Sequence, residues 1–371
     1  MVKFMAEKDL GYRRVQCTGR GSFIISLPKE WVQDIGLKRG SEIAFTLEPD
    51  STLTLVPRKI REKAGEEGGN KLKEYYISVD TEENLQSTLR LLQALYVISA
   101  DIIRVHFRGK GNYYKFKSEI KDFAKETFLG SEIIDETAEE VTLQILVKPS
   151  EFPIEKAVRR MLIVALAAHR DVILVLKDGT KELFQEILNA QRDSNRLGLY
   201  IVRQLKYGIE HNMYRELGFK TPKEFLLYRI VVNHIKDIGG NAVNIMNNLS
   251  TVRKLVDSEI LFVKEPIDEE LYSQIIDFSN LAYQLFEDAT KAMFKRDYND
   301  AEAVIPKRQS YVKLENDLIR LMGSKKMDPN INAVLRLVLD SSRRILDYGA
   351  DIAELTLNRT VEELCVSFAV K

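Results

Sequence analysis

Three arginines stand close together near the amino terminus, Arg13 and Arg14 in "GYRRVQ" and Arg20 in "TGRGSF". A guanidinium presents a planar fork of donors that suits phosphate oxygens and guanine edges, so arginines flanking a glycine turn point to contact with DNA. Ser22 in the turn and Lys29 at the start of the next helical pattern complete the candidate contact set. Through Gly40 the segment carries eight basic residues against four acidic ones, a local charge of +4. The whole chain holds 55 Lys and Arg against 55 Asp and Glu, so any preference for an anionic partner is local. The competing reading is a solvated, mildly basic surface.

Two polar stripes occur later, at three- and four-residue spacing on helical patterns: Asn233, Asp237, Asn241, Asn244 and Asn248, then Asp347, Asp351 and Glu354. The asparagines fit a helix seam, a phosphate site or plain hydration, and the structural explanation is preferred. His169 and His234 sit on otherwise apolar helices, and no histidine has a glutamate three residues before it, so the Glu-x-x-His element of di-iron bundles is absent from the sequence. The four histidines and the two cysteines, Cys17 and Cys365, show no zinc-like spacing. There is no phosphate-binding P-loop and no Gly-x-Ser-x-Gly elbow, so the chain is expected not to be an enzyme.

The elements that must position these residues fall into three regions. In the first, Val15 and Cys17 alternate with polar neighbours, Pro28 opens a short helix, and Ile43, Phe45 and Leu47 then Leu53 and Leu55 alternate as a hairpin. That unit, 1–58, is too small to be secure alone and is expected to pair with a second copy. The charged, glycine-containing stretch Pro57 to Asn70 reads as a linker. Over 72–150, "EYYISV", "DIIRVHF", "EIIDE" and "VTLQILV" read as strands interleaved with two helical patterns, a small α/β domain. From 153 to 371 long helical periodicity predicts six helices forming a bundle: about Ile154–Leu176, Lys181–Ile209, Pro222–Lys254, Asp268–Arg296, Asn299–Met322 and Pro329–Arg359. "NHIKDIGGNAVNIMNN" and "SRRILDYGADIAELTL" align without gaps, Ile238 over Ile345, so these six helices read as three written twice, about 153–255 and 266–359. The expected class is thus multidomain α+β. With two distant cysteines and no apolar run long enough to span a bilayer, a cytoplasmic protein without membrane insertion is expected.

The first region resembles the AbrB/SpoVT and MazE DNA-binding domains, through the turn glycine and serine before an apolar strand, the "LPKEW" helix opening, "GLKRG" and the closing hairpin. That resemblance implies a swapped-hairpin dimer that binds DNA. The helical region resembles PhoU, the regulator of phosphate uptake, through "KDIGG" at Lys236 to Gly240 and "RRILD" at Arg343 to Asp347. The full order resembles archaeal PhoU-type regulators. It implies a homodimeric transcription regulator of phosphate homeostasis, with a phosphate transporter ATPase or a signalling protein as partner. The alternative is a PhoU-type adaptor that does not bind DNA; a metal- or phosphate-binding storage bundle and an antitoxin are further rivals. PhoU motifs imply carboxylate-held metal, but here the glutamates are replaced by Lys236 and Arg343 and one aspartate by Gly240. That leaves Asp347, Asp351 and Asp237 as weak divalent-metal candidates, and no cofactor is expected.

Overall fold

Alternation and glycine punctuation produce a miniature first unit. In the computed structural model, which describes residues 10–17, 19, 21–47, 52–58, 72–82, 84–109, 113–147, 151–178, 181–257 and 268–364, the chain divides into Met1–Leu72 and Lys73–Lys371. The first unit holds β1 (Gln16–Cys17) antiparallel to β2 (Phe23–Ile24), helix α1 (Lys29–Asp34), and the hairpin β3 (Ile43–Leu47) with β4 (Leu53–Pro57). Helix α1 stops where Gly36 takes φ +67°, which no side chain resists. The Leu37 and Gly36 amides then close back on the Val32 and Gln33 carbonyls, a Schellman cap. The hairpin register sets Ile43 opposite Pro57, Phe45 opposite Leu55 and Leu47 opposite Leu53, so one face is wholly apolar. Strand β4 runs through Pro57, one residue into the stretch read as linker; residues 59–70 of that stretch lie outside the described residues.

The second unit opens with a four-stranded sheet in the order β5 (Glu74–Asp80), β6 (Ile102–Arg108), β8 (Glu140–Ile145), β7 (Ser131–Glu136). β5 and β6 are parallel and joined through helix α2 (Leu85–Val97); helix α3 (Tyr113–Thr127) follows β6, and β6–β8 and β8–β7 are antiparallel. Branched residues at alternate positions, Ile103, Val105 and Phe107 on β6 and Val141 and Leu143 on β8, meet Leu92 and Tyr96 of α2 and Ile120 of α3 in one buried cluster.

The remaining helices are α4 (Ile154–Asp178), α5 (Lys181–Glu210), α6 (Glu224–Asp257), α7 (Glu269–Lys295), the short α8 (Tyr298–Glu302), α9 (Ile305–Ser324) and α10 (Pro329–Leu364). The sequence predicts one helix over 299–322; two form instead. Pro306 lacks an amide hydrogen and its ring would strike the Glu302 carbonyl of a continuous helix, whereas the second position of a new helix tolerates it. Helices α4, α5 and α6 pack on one another, as do α7, α9 and α10, and α6 against α10 joins the two groups. Ile238, Ile245, Ile345 and Ile352 are all buried. Among the described residues no helix is long and apolar enough to cross a membrane.

The sheet layer and the bundle share one compact unit, and a buried arginine links them. Arg203 of α5 donates to the Tyr96 and Ala100 carbonyls at 2.8 and 2.7 Å and meets Asp101 at 3.2 Å, while the Ser99 hydroxyl donates back to the Arg203 carbonyl. These carbonyls lie at the carboxyl end of α2, where a cation is favoured.

Candidate functional site

The described basic candidates of the head are exposed. Arg13 and Arg14 precede β1, and both are exposed; the Arg13 guanidinium donates to the Tyr12 carbonyl at 2.9 Å. Ser22 is exposed beside Gly21, whose φ of +80° makes the turn into β2, and Lys29 is exposed as the first residue of α1. Arg20 lies outside the described residues. Four of the five candidate contacts are therefore solvent-accessible within one small unit.

Among the described residues the same unit leaves many of its apolar side chains exposed. Phe23 is 76% exposed, Phe45 63% and Leu47 70%, with Val15, Ile24, Ile25 and Leu53 also exposed. Among the described residues 10–58, only Pro57 is buried. So many exposed apolar side chains on so small a unit mark an interaction surface.

The carboxylate candidates are not brought into one site. Asp347 accepts from Arg308 of α9 at 2.7 Å and from the Arg343 Nε at 3.1 Å, while the other arm of Arg343 reaches Glu315 at 2.8 Å. A guanidinium thus lies between the two carboxylates, occupying the electrostatic role a bound cation would have. Burial disfavours the charge of Arg343, but its hydrogen bonds to Asp347 and Glu315 outweigh that and raise its pKa. Sequence reading missed Glu315 and Arg308, which come from a different helix; only the Arg343–Asp347 spacing, one turn apart, was visible beforehand.

Asp351 is exposed and lies 3.5 Å from His234 Nε2 of α6, a ring stacked on Tyr348 with centroids 4.3 Å apart. The approach is close enough for an ion pair yet has no hydrogen-bond geometry. Burial lowers the His234 pKa against the opposing pull of Asp351 and Asp237, so the ring is neutral and no ion pair forms at neutral pH. Asp237 is likewise exposed. Among the described residues no group of three or more His, Cys, Asp or Glu is placed to hold a metal ion.

In the asparagine stripe, the Asn248 amide donates to the Asn244 carbonyl at 2.8 Å, and Asn233 accepts from Arg229. His169 is wholly buried, its Nδ1 2.7 Å from the Tyr283 hydroxyl and its Nε2 2.6 Å from the Ser341 hydroxyl. Either neutral tautomer leaves each nitrogen with a partner, so this histidine bridges α4, α7 and α10 as a structural group.

No curated protein and no solved structure matches the chain. With its strand pair, short helix and hairpin, the head is similar over residues 16–63 to the family described as antidote-toxin recognition MazE, bacterial antitoxin.

Proposed function

We propose that this chain is a homodimeric DNA-binding transcription regulator of phosphate homeostasis, whose heads contact DNA and whose helical region senses or relays phosphate status. One observation carries the reading: a unit with exposed arginines leaves its apolar hairpin face exposed among the described residues. A second copy covers that face and doubles the number of arginines available to phosphates. The family match over the head supports a DNA-binding or antitoxin-type regulator. The phosphate assignment, and a transporter ATPase or signalling protein as partner, rest on the resemblance of "KDIGG" and "RRILD" alone. No chemical step is assigned to the chain.

Neutralising Arg13, Arg14 and Arg20 together tests the DNA assignment. Every arginine–phosphate pairing removed lowers the slope of log affinity against log salt by about 0.9, so the triple variant binds DNA more weakly and with a flatter salt dependence. An unchanged slope in a folded, dimeric variant rules the head out as the DNA-contacting surface. The adaptor alternative gives no salt-dependent shift even for the unaltered protein.

A further inference from the structure

Helices α2, α5 and α6 enclose a cleft of about 480 Å³ whose rim carries Arg90, Lys206, Arg229 and Lys236. The four cations come from three helices, and no acidic side chain lines the cleft. Among the described residues none of the four meets a carboxylate, and the Arg229 guanidinium donates to the Asn233 Oδ1 in the cleft wall. Several exposed cations elsewhere on the bundle do have carboxylate partners: Arg159 meets Glu155, Arg170 meets Glu287, Lys307 meets Asp288 and Arg344 meets Asp340. In a chain of zero net charge, an uncompensated cluster facing one concavity concentrates positive potential there.

The deeper part of the cleft is apolar. Val97 of α2, Leu199 and Val202 of α5 and Val232 of α6 line it, and Gly198 lets α5 approach α4 and α6, since a Cβ there would stand 3.2 Å from Met161. An adjoining recess of about 260 Å³ shares Gln93, Asn195, Leu199 and Lys236 and adds Arg192, Arg196 and one acid, Glu126. Two atoms in these walls, Asn195 Oδ1 and Arg196 Nε, are shielded from solvent yet have no hydrogen-bond partner in the protein. The Arg203 contacts described above fix α2 on α5, so the cleft is held open by the fold.

We infer that this cleft binds a small organic polyphosphate of nucleotide size. Arginine forks and lysine ammoniums on the rim match several phosphate oxygens at once, and the apolar wall accepts a flat or aliphatic moiety that orthophosphate lacks. The volume lies in the range of sites for ligands of that size. The inference deepens the reading of the helical region as a sensor by giving it a ligand class, and it is independent of DNA contact by the head.

Titration calorimetry on the full chain, with ATP as the probe in about 150 mM salt and a chelator present, tests it. The expected result is one saturable site per chain, with affinity at least about tenfold lower in Arg229→Gln/Lys236→Gln. Lys206→Gln, a single change on the exposed rim, gives a smaller loss and guards against misfolding of the double variant. Melting temperature and DNA affinity stay unchanged in both. The inference is overturned if ATP shows no saturable binding, if the variants bind it as the unaltered protein does, or if orthophosphate binds as tightly as ATP. It is also overturned if the variants lose DNA affinity while keeping ATP, which would make the cleft a nucleic-acid surface. ATP binding without any DNA binding by the unaltered protein would sink the regulator reading and leave the cleft assignment standing.

Discussion

Burial of His169 makes the stability of the bundle depend on pH in a calculable way. Its imidazole is fully enclosed between Tyr283 and Ser341, and desolvation, with a smaller push from Arg170, holds its pKa down to about 3 against an ordinary 6.5. A depressed folded value means that the neutral ring favours the folded state. That contribution is complete above 6.5 and is lost as pH falls toward 3, because the unfolded chain takes up a proton that the folded chain refuses. At pH 5 the difference amounts to about 2 kcal/mol, and at pH 7.5 to under about 0.1 kcal/mol. Since pH 5 lies far above the folded value and well below 6.5, the figure is set almost wholly by the unfolded side. With an unfolding entropy of about 2.1 cal/mol/K per residue over the roughly 300 residues of the second unit, 2 kcal/mol corresponds to about 3 °C of melting temperature. His169→Gln removes this proton linkage while retaining one hydrogen-bonding arm. The variant is less stable at pH 7.5, but its deficit narrows by about 2 kcal/mol at pH 5, read by denaturant unfolding or calorimetry at both values. His211 and His234, whose pKa values burial also lowers, titrate in both proteins and cancel in the difference. A deficit that stays constant between the two pH values would refute the argument.

Two further changes probe how the second unit is held together. Arg203→Ala strips the carboxyl end of α2 of its cationic partner and weakens the join between sheet layer and bundle; a loss of about 3 kcal/mol, or about 5 °C, is expected by calorimetry, and amides of α2 exchange faster. Asp347→Ala leaves Arg343 with Glu315 alone and costs about 1 kcal/mol, reduced by partial exposure of the site. Addition of a chelator leaves the melting temperature of the unaltered protein and of Asp347→Ala unchanged; metal-dependent stability in either would show that the arginine does not stand in for an ion.

What the sequence disclosed and what it hid differ by the range of the interaction. Strands β5, β6, β7 and β8 and the long helices were legible because each writes its own period in consecutive residues: Ile103, Val105 and Phe107 alternate, and Ile345 and Ile352 recur on one helix face. The break before α9 was hidden because Pro306 falls where the apolar pattern continues on both sides, so periodicity alone carries a reader across it. The apolar alternation of the head was visible, but not that Phe45 and Leu47 stay exposed among the described residues. Contacts of high sequence separation were invisible in principle. Arg203 reads as one more polar residue on an amphipathic helix, and its partners are backbone carbonyls more than a hundred residues away, which leave no mark on side-chain pattern. Asp347 was singled out as a metal candidate for the same reason: its i,i+4 neighbour could be read off, whereas Arg308 on another helix could not.

Lys236 and Arg343 occupy the same place in the ungapped alignment of the two helical segments, yet their surroundings differ. Arg343 finds Glu315 on the helix beside it and Asp347 one turn along its own, so its charge is spent inside the protein. Lys236 faces α5, whose contributions to the cleft wall include Asn195 and Lys206 but no carboxylate, and the residue one turn beyond it is Gly240, where the other segment has Asp347. Glycine at that position offers Lys236 no carboxylate one turn along its own helix. A cation left without a carboxylate costs little at a wet rim and gains substantially when an anion arrives, which is the asymmetry a ligand site needs and a structural ion pair lacks. On this argument, introducing an acid by Gly240→Asp pairs Lys236 internally and weakens ATP binding by several-fold, with no change in binding expected if Lys236 plays no part in the cleft.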